Sequence, residues 1–235
     1  LIDANTGKVL YSKNATEKHA NASTTKIMTC ILALENASLN DRVSVSAYAA
    51  SQEPSKLYMT AGDSFTLNDL LYSLMLPSHN DTAVAIAEHV SGSTSAFAKK
   101  MNEKAKQLGC TSTHFVTPNG LDAGLNHYTT ARDLAKIAQY AWKNATFRKI
   151  VGTSAWRFSS RQGHSYSVAT TNALLRTMKG VTGMKTGFTN KAGYCFVGVV
   201  KAKSGKQYIS VTLGAGSSTA RWQDARTLLA YAYKH

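Results

Sequence analysis

"NASTTKIMT", residues 21–29, joins a polar run to an apolar one. From Ser23 to Glu35 the apolar residues fall at 27, 28, 31, 32 and 34, a broad helical face, so a buried helix begins here with Ser23 near its N-terminus. Ser23 and Lys26 are three positions apart. On a helix such positions share a face, so the lysine nitrogen can reach the serine hydroxyl. The helix N-terminus adds free backbone N–H groups and a positive dipole end beside that hydroxyl. A serine becomes a nucleophile when an adjacent base takes its proton. A lysine can be that base if burial and neighbouring cations pull its pKa well below its usual ~10.4. Without that chemistry, the same residues are a capping serine and a solvated lysine.

Upstream, "LIDANTGKVLYSKN" looks like a strand pair around Asn5-Thr6-Gly7. Downstream, "TLNDLLYSLML" (66–76) reads as a helix ended by Pro77, and "DTAVAIAEHVSG" (81–92) as one ended by Gly92. "STSAFAKKMNEKAKQLGC" is a third helix, and "TTARDLAKIAQYAWKN" (129–144), with a threonine cap, is a fourth. "YCFVGVVKAKSGKQYISVTLGA" is two apolar runs joined by Lys203-Ser204-Gly205-Lys206, a hairpin, and a closing helix runs from about Ser218 to Tyr233. Hairpin, long helix, helical insert, antiparallel strands and final helix predict an α+β layered domain whose N- and C-terminal strands share a sheet. The expected division is one domain over 1–235, with a sheet part at about 1–40 and 145–235 and a helical part at about 41–144.

At 235 residues and 43% hydrophobic content, the chain can bury the core of one folding unit. Lys and Arg number 27 against 13 acids, and the resulting charge of +14 would attract polyanions. The cations are scattered singly, without a basic run, zinc-ligand spacing or RNP-like aromatic motif. Nucleic acid is therefore not the expected partner, and an anionic cell envelope suits the field equally well. Cys30, Cys110 and Cys195 are odd in number and widely spaced, and read as buried free thiols. His114, His127 and His164 lie far apart with no ligand spacing, so no metal site is expected. No segment approaches the ~20 apolar residues of a membrane span.

Two further motifs carry chemistry. Lys185-Thr186-Gly187 lies in an alternating, Gly-rich stretch, as expected of a strand closely approached by another molecule. Ser-x-Asn occurs at Ser12-Lys13-Asn14, Ser38-Leu39-Asn40 and Ser78-His79-Asn80, of which only the last lies between two helices. There Ser78 and Asn80 sit on a tight turn from which side chains can point into a cleft, and His79, as its middle residue, reads as exposed. Tyr58, Trp142, Trp156 and Trp222 read as core or rim aromatics. Arg221 and Asp224 read by default as an intrahelical pair, though the arginine could reach a substrate carboxylate.

In order, Ser-x-x-Lys, Ser-x-Asn and Lys-Thr-Gly resemble the motif set of the serine β-lactamase and penicillin-binding superfamily. "ASTTKIMT", "PSHNDTAVAIAEHVSGS", "FVTPNGLDAGLNHYTTARDLAKIAQYA" and "GMKTGFTNKAGYCFVG" are similar to the low-molecular-weight D-alanyl-D-alanine carboxypeptidases, peptidase family S11, over nearly the whole chain. Asn21 stands where these proteins usually carry proline, and His79 where a small residue is usual.

The resemblance implies an antiparallel five-stranded sheet flanked by helices, with an inserted all-helical part. It implies Ser23 as nucleophile and Lys26 as its base, Ser78 relaying a proton to the leaving D-alanine, and Asn80 bonding the substrate amide. Lys185 and Thr186 would hold the terminal carboxylate, and the N–H groups of Ser23 and of Phe188, after Gly187, would bind the oxyanion. It also implies a monomer without metal or cofactor. The substrate would be a peptidoglycan pentapeptide ending in D-Ala-D-Ala, with β-lactams as acylating inhibitors. The setting would be extracytoplasmic, with a signal upstream of Leu1 and any anchor beyond His235. A class A β-lactamase is the alternative within the superfamily. It needs a loop glutamate after the second motif, where the sequence has only Glu88 and Glu103, both in predicted helices. A catalytically silent wall-binding module is the alternative from another class.

Overall fold

The computed structural model describes residues 1–122 and 124–234. Strand β1 (Ile2–Asp3) leads through a long polar segment to a 3-10 turn at Ala22–Thr25, continuous with α1 (Lys26–Asn36). Then come β2 (Arg42–Ser44), α2 (Ala47–Ala50), β3 (Ser64–Thr66), α3 (Leu67–Met75), α4 (Asn80–Ser91) and α5 (Thr94–Gln107). A loop passes to α6 (Ala131–Trp142) and α7 (Ala145–Val151), followed by the hairpin β4 (Ala155–Ser159) and β5 (Ser165–Ala169). The chain ends with α8 (Leu174–Thr177), β6 (Val181–Thr189), β7 (Gly193–Lys201), β8 (Gln207–Ala215) and α9 (Ser218–Lys234).

The helix boundaries follow local chemistry. Thr66, Ser93 and Thr130 each accept, on their side-chain oxygen, a backbone N–H three residues on, at the starts of α3, α5 and α6. Gly92, with φ 75°, ends α4 in the left-handed conformation that costs glycine nothing.

The main sheet is antiparallel, in the order β1-β8-β7-β6, so the first and last strands of the chain are neighbours as expected. It has four strands, not five. After the Asn5-Thr6-Gly7 turn the returning arm makes a single bridge, Val9 to Ile2, and Val9 is exposed. The N–H groups of Leu10 and Tyr11 both turn to the Leu1 carbonyl, which ends the ladder, and the polar Ser12-Lys13-Asn14 that follows has nothing to bury.

Strand β7 is apolar on both faces because both are covered. Val197 and Val199 point into the core built from α1, α3, α4 and α6, while Phe196 and Val200 pack with Leu229 and Ala225 of α9. The β4–β5 hairpin sets Phe158 and Tyr166 against Phe65 of β3, and stacks Trp156 on Tyr72 of α3 at 4.0 Å between centroids. Trp142 is core, with its Nε1 donating to Gln207 Oε1, and Tyr58 lies exposed on the surface. All three cysteines are buried and free.

Candidate active site

Ser23 sits on the 3-10 turn, just ahead of the α-helix proper. Its predecessor Ala22 holds φ 45°, a conformation that costs a non-glycine residue on the order of 1 kcal/mol or more and persists only where the surroundings impose it. They do so here. Asn21 Nδ2 donates to Thr25 Oγ1 at 2.9 Å and to Thr24 Oγ1 at 3.3 Å, and Thr24 Oγ1 donates back to the Asn21 carbonyl at 2.6 Å. His127 Nδ1 accepts the Val116 and Thr117 N–H groups, so its proton is on Nε2, which donates to Thr25 Oγ1 at 2.8 Å. Asn21 therefore ties the turn down with its side chain.

Lys26 is fully buried. Its Nζ lies 2.7 Å from Ser23 Oγ, 2.8 Å from Asn80 Oδ1 and 2.8 Å from the Asn119 carbonyl oxygen. Two of these partners are carbonyl oxygens, which only accept, and the third is a hydroxyl, which can also donate. A neutral amine offers two N–H groups and one lone pair, so it satisfies all three partners with the Ser23 proton directed at Nζ. Burial first, then the charge of Lys185, push Lys26 well below the usual lysine range, against a smaller opposing pull from Asp81.

The facing wall is the turn between α3 and α4. Asn80 opens α4, and its Nδ2 donates to the Glu53 carbonyl at 3.0 Å, which orients the amide so that Oδ1 faces Lys26. Ser78 takes φ 75°, and its buried Oγ has no hydrogen-bond partner among the described residues. It stands outside the Ser23–Lys26–Asn80 network. His79 is buried, contrary to the exposed position expected of a turn residue. Its Nδ1 pairs with Ser73 Oγ at 2.9 Å, and Ser73 in turn meets Thr82, so a polar slot between α3 and α4 draws the ring inward. Burial, then Lys26 and Lys185, lower its pKa to about 4, so the ring is neutral at pH 7.

The third wall is β6. Lys185 is 1% exposed, its Nζ donates to the Thr186 carbonyl at 2.9 Å, and burial and then Arg221 lower its pKa to about 7. No hydrogen bond joins Lys185 to Ser23 or Lys26. Its link to them is through charge. Thr186 Oγ1 meets Thr171 Oγ1 at 2.6 Å. Gly187 approaches the serine closely: a Cβ there would stand 3.0 Å from Ser23 N and 3.1 Å from Thr24 N, so any side chain would crowd those amides. Phe188 is exposed, with its ring against Tyr194. Arg221 and Asp224 form no ion pair. The guanidinium instead lies 4.3 Å from the Trp222 ring centroid and 5.4 Å from that of Tyr194.

Several contributors escaped the motif reading. Asn119 and Glu53 act through main-chain oxygens, which no side-chain pattern reports. Thr171 and His127 come from loops remote in sequence. Pro118-Asn119-Gly120 is a turn signature that could have marked the loop as fixed, though not as part of the site.

The sequence profile of the peptidase family S11, described as D-alanyl-D-alanine carboxypeptidase, matches residues 1–217. The D-alanyl-D-alanine carboxypeptidase DacF of Bacillus subtilis is 37% identical over 99% of this chain, which spans 61% of that relative's length. The D-alanyl-D-alanine carboxypeptidase of Streptomyces sp. strain K15 is 39% identical, over 97% of this chain and 84% of its own. Among solved structures, the Streptomyces K15 DD-transpeptidase superposes with a TM-score of 0.92 at 36% identity, covering 100% of this chain and 95% of its own. The D-alanyl-D-alanine carboxypeptidase DacD from Francisella tularensis gives 0.90 at 31%, over 99% and 69%. The three motifs converge on one cleft, and profile, sequence and fold agree across the chain, which belongs to the D-alanyl-D-alanine carboxypeptidase family, peptidase family S11.

Proposed function

We propose that the chain is a serine-type D-Ala-D-Ala carboxypeptidase, which removes the terminal D-alanine from peptidoglycan stem peptides through an acyl-enzyme at Ser23. The observation that carries this reading is the 2.7 Å contact between Ser23 Oγ and the buried Nζ of Lys26. Neutral Lys26 takes the Ser23 proton as Oγ attacks the carbonyl carbon of the penultimate D-alanine. The N–H groups of Ser23 and Phe188 receive the oxyanion, a role supported by the approach of Gly187 to Ser23 N. The C–N bond then breaks, and the proton that Lys26 took is passed on through the Ser78 hydroxyl, which has no competing partner among the described residues, to the leaving D-alanine nitrogen, so that Lys26 is neutral again. Asn80 binds the substrate amide, and Lys185 with Thr186 holds the terminal carboxylate. Water releases the shortened stem and frees Ser23.

β-Lactams would acylate the same serine. Glu88 and Glu103 lie inside α4 and α5, which supports a peptidase over a class A β-lactamase. The joined Ser23–Lys26–Asn80 network supports an enzyme over a silent binding module. Residues 1–235 would act as one monomeric catalytic unit. Peptidoglycan stems place the reaction outside the cytoplasmic membrane, and no described helix is long and apolar enough to cross one.

Incubation with a pentapeptide ending in D-Ala-D-Ala tests the proposal. Free D-alanine should appear with the parent protein and not with Ser23→Ala, and labelled penicillin should mark Ser23. Absence of both D-alanine release and a Ser23 adduct would reject it.

A further inference from the structure

Apart from the catalytic cleft, a groove of about 670 Å³ lies where α6, α7 and α8 meet the start of β6 and β8. None of Ser23, Lys26, Ser78, Asn80 or Lys185 lines it. Arg148, Lys149 and Arg176 stand around it, no carboxylate lines it, and none of the three cations joins an ion pair among the described residues.

The guanidinium groups are held by one edge and open at another. Arg148 Nη1 donates to the Trp142 carbonyl at 2.7 Å and the Lys143 carbonyl at 2.9 Å, and Arg176 Nη2 donates to the Ser154 carbonyl at 3.4 Å. Their remaining N–H groups have no acceptor among the described residues. Gln207 Oε1 accepts from Trp142 Nε1 while its NH₂ makes no hydrogen bond among the described residues, and neither does the buried Thr182 Oγ1. The groove thus offers donors and positive charge, and Arg148, anchored on two carbonyls, loses little rotamer freedom on binding. Forked guanidinium edges fit phosphate oxygens, and three uncompensated charges favour an anion over a neutral ligand. Leu175 and Val181 add apolar surface at the same place.

We propose that this groove is a binding site for a phosphate ester, its oxygens on Arg148, Lys149 and Arg176 and its carbon chain against Leu175 and Val181. The +14 charge of the chain raises the local concentration of such anions.

The test uses glycerol 3-phosphate, and separately phosphatidylcholine vesicles with and without phosphatidylglycerol. Glycerol 3-phosphate should give saturable backbone amide shifts at Gly152, Ser154 and Thr182, and none at Ser23 or Lys26. The double variant Lys149→Gln/Arg176→Gln should weaken binding at least tenfold and leave penicillin acylation at the parent rate. Arg148 is spared because its carbonyl bonds hold the α6–α7 corner. Vesicle binding that requires phosphatidylglycerol and is lost in the double variant would assign the ester to a lipid headgroup. Glycerol 3-phosphate binding without vesicle binding would assign it to a soluble phosphate. Shifts reproduced by chloride at equal ionic strength, unchanged affinity in the double variant, or no binding of either probe would overturn the proposal.

Discussion

Gly120 lies against Ala22 so closely that a Cβ on it would stand 1.9 Å from the Ala22 carbonyl oxygen and 3.0 Å from Ser23 N. Both residues take positive φ, 88° and 45°. A glycine turn and the strained turn at Ala22 thus interlock behind the serine. Asn119, whose carbonyl accepts from Lys26, is carried on one of them.

Gly120→Ala should therefore damage the site as well as the fold. The added methyl meets backbone, which cannot swing aside like a side chain, so the loop must withdraw and take the Asn119 carbonyl with it. A displacement of this kind costs a reaction roughly 100-fold, and the strain should cost about 2 kcal/mol or more of stability. Gly124→Ala is the control. Its φ is 67° but nothing lies within 4 Å of the added Cβ, so it carries the backbone penalty alone, about 1 kcal/mol. Equal penicillin acylation rates in the two variants would show that the interlock does not position Ser23.

Burial lowers His79 and His127 from an ordinary 6.5 to about 4. Because the folded pKa lies below the unfolded one, the unfolded chain binds more protons between these values. The stability contributed by each neutral ring is complete above pH 6.5 and is lost as pH falls through about 4. The full loss is on the order of 3 kcal/mol per ring. Urea unfolding at pH 7, 5.5 and 4.5 should show a shallower acid decline for His79→Asn than for the parent. Parallel declines would mean that His79 is not buried as a neutral ring.

Of this architecture, the periodic elements were legible and the crowded ones were not. The helices α3 to α6 announced themselves through Thr or Ser caps, Pro77 and Gly92, because capping is local chemistry. The fifth strand was implied by the family resemblance, whereas the arm after the Asn5-Thr6-Gly7 turn ends its ladder on carbonyl geometry at Leu1 that the side chains do not report. The Trp156–Phe158 and Tyr166–Val168 alternation was available, yet the hairpin's partners, Tyr72 and Phe65, lie far away in sequence. At the site, Lys26 Nζ lies within hydrogen-bond reach of Ser23 and Asn80, side chains that leave motifs, and of the Asn119 carbonyl, which leaves none. His79 was misjudged because a turn position suggests exposure, whereas Ser73 and Thr82, six residues before and three after it, build the slot that takes it in.

The thiols give a direct check on the core. Burial raises Cys30 far out of the thiol range, Cys110 to about 12 and Cys195 to about 11, so none presents a thiolate near neutral pH. A thiol-specific disulfide reagent at pH 8 should label essentially none of the three in the folded protein and all three in denaturant. Rapid labelling of one thiol in the native state would place that cysteine at the surface.

The two buried lysines make the sharpest test of the mechanism. Lys26 must be neutral to accept the Ser23 proton, so acylation should rise with pH as Lys26 deprotonates. Lys185 must be charged to hold a carboxylate, and with a pKa near 7 it loses that charge as pH rises, unless bound substrate retains it. The kcat/KM profile for a D-Ala-D-Ala peptide should therefore be bell-shaped. Lys26→Ala should abolish both acylation and peptidase activity, with the fold retained. Lys185→Ala removes the cation that depresses Lys26, so its ascending limb should move to higher pH while its KM rises. Arg221→Ala acts one step further out. Arg221 lowers Lys185, so without it Lys185 should keep its proton to higher pH and the descending limb should move up. A descending limb that stays in place in Arg221→Ala would remove Lys185 as the group that sets it. Parent-rate penicillin acylation in Lys26→Ala would reduce the opening Ser-x-x-Lys to a helix start, and the mechanism would fall with it.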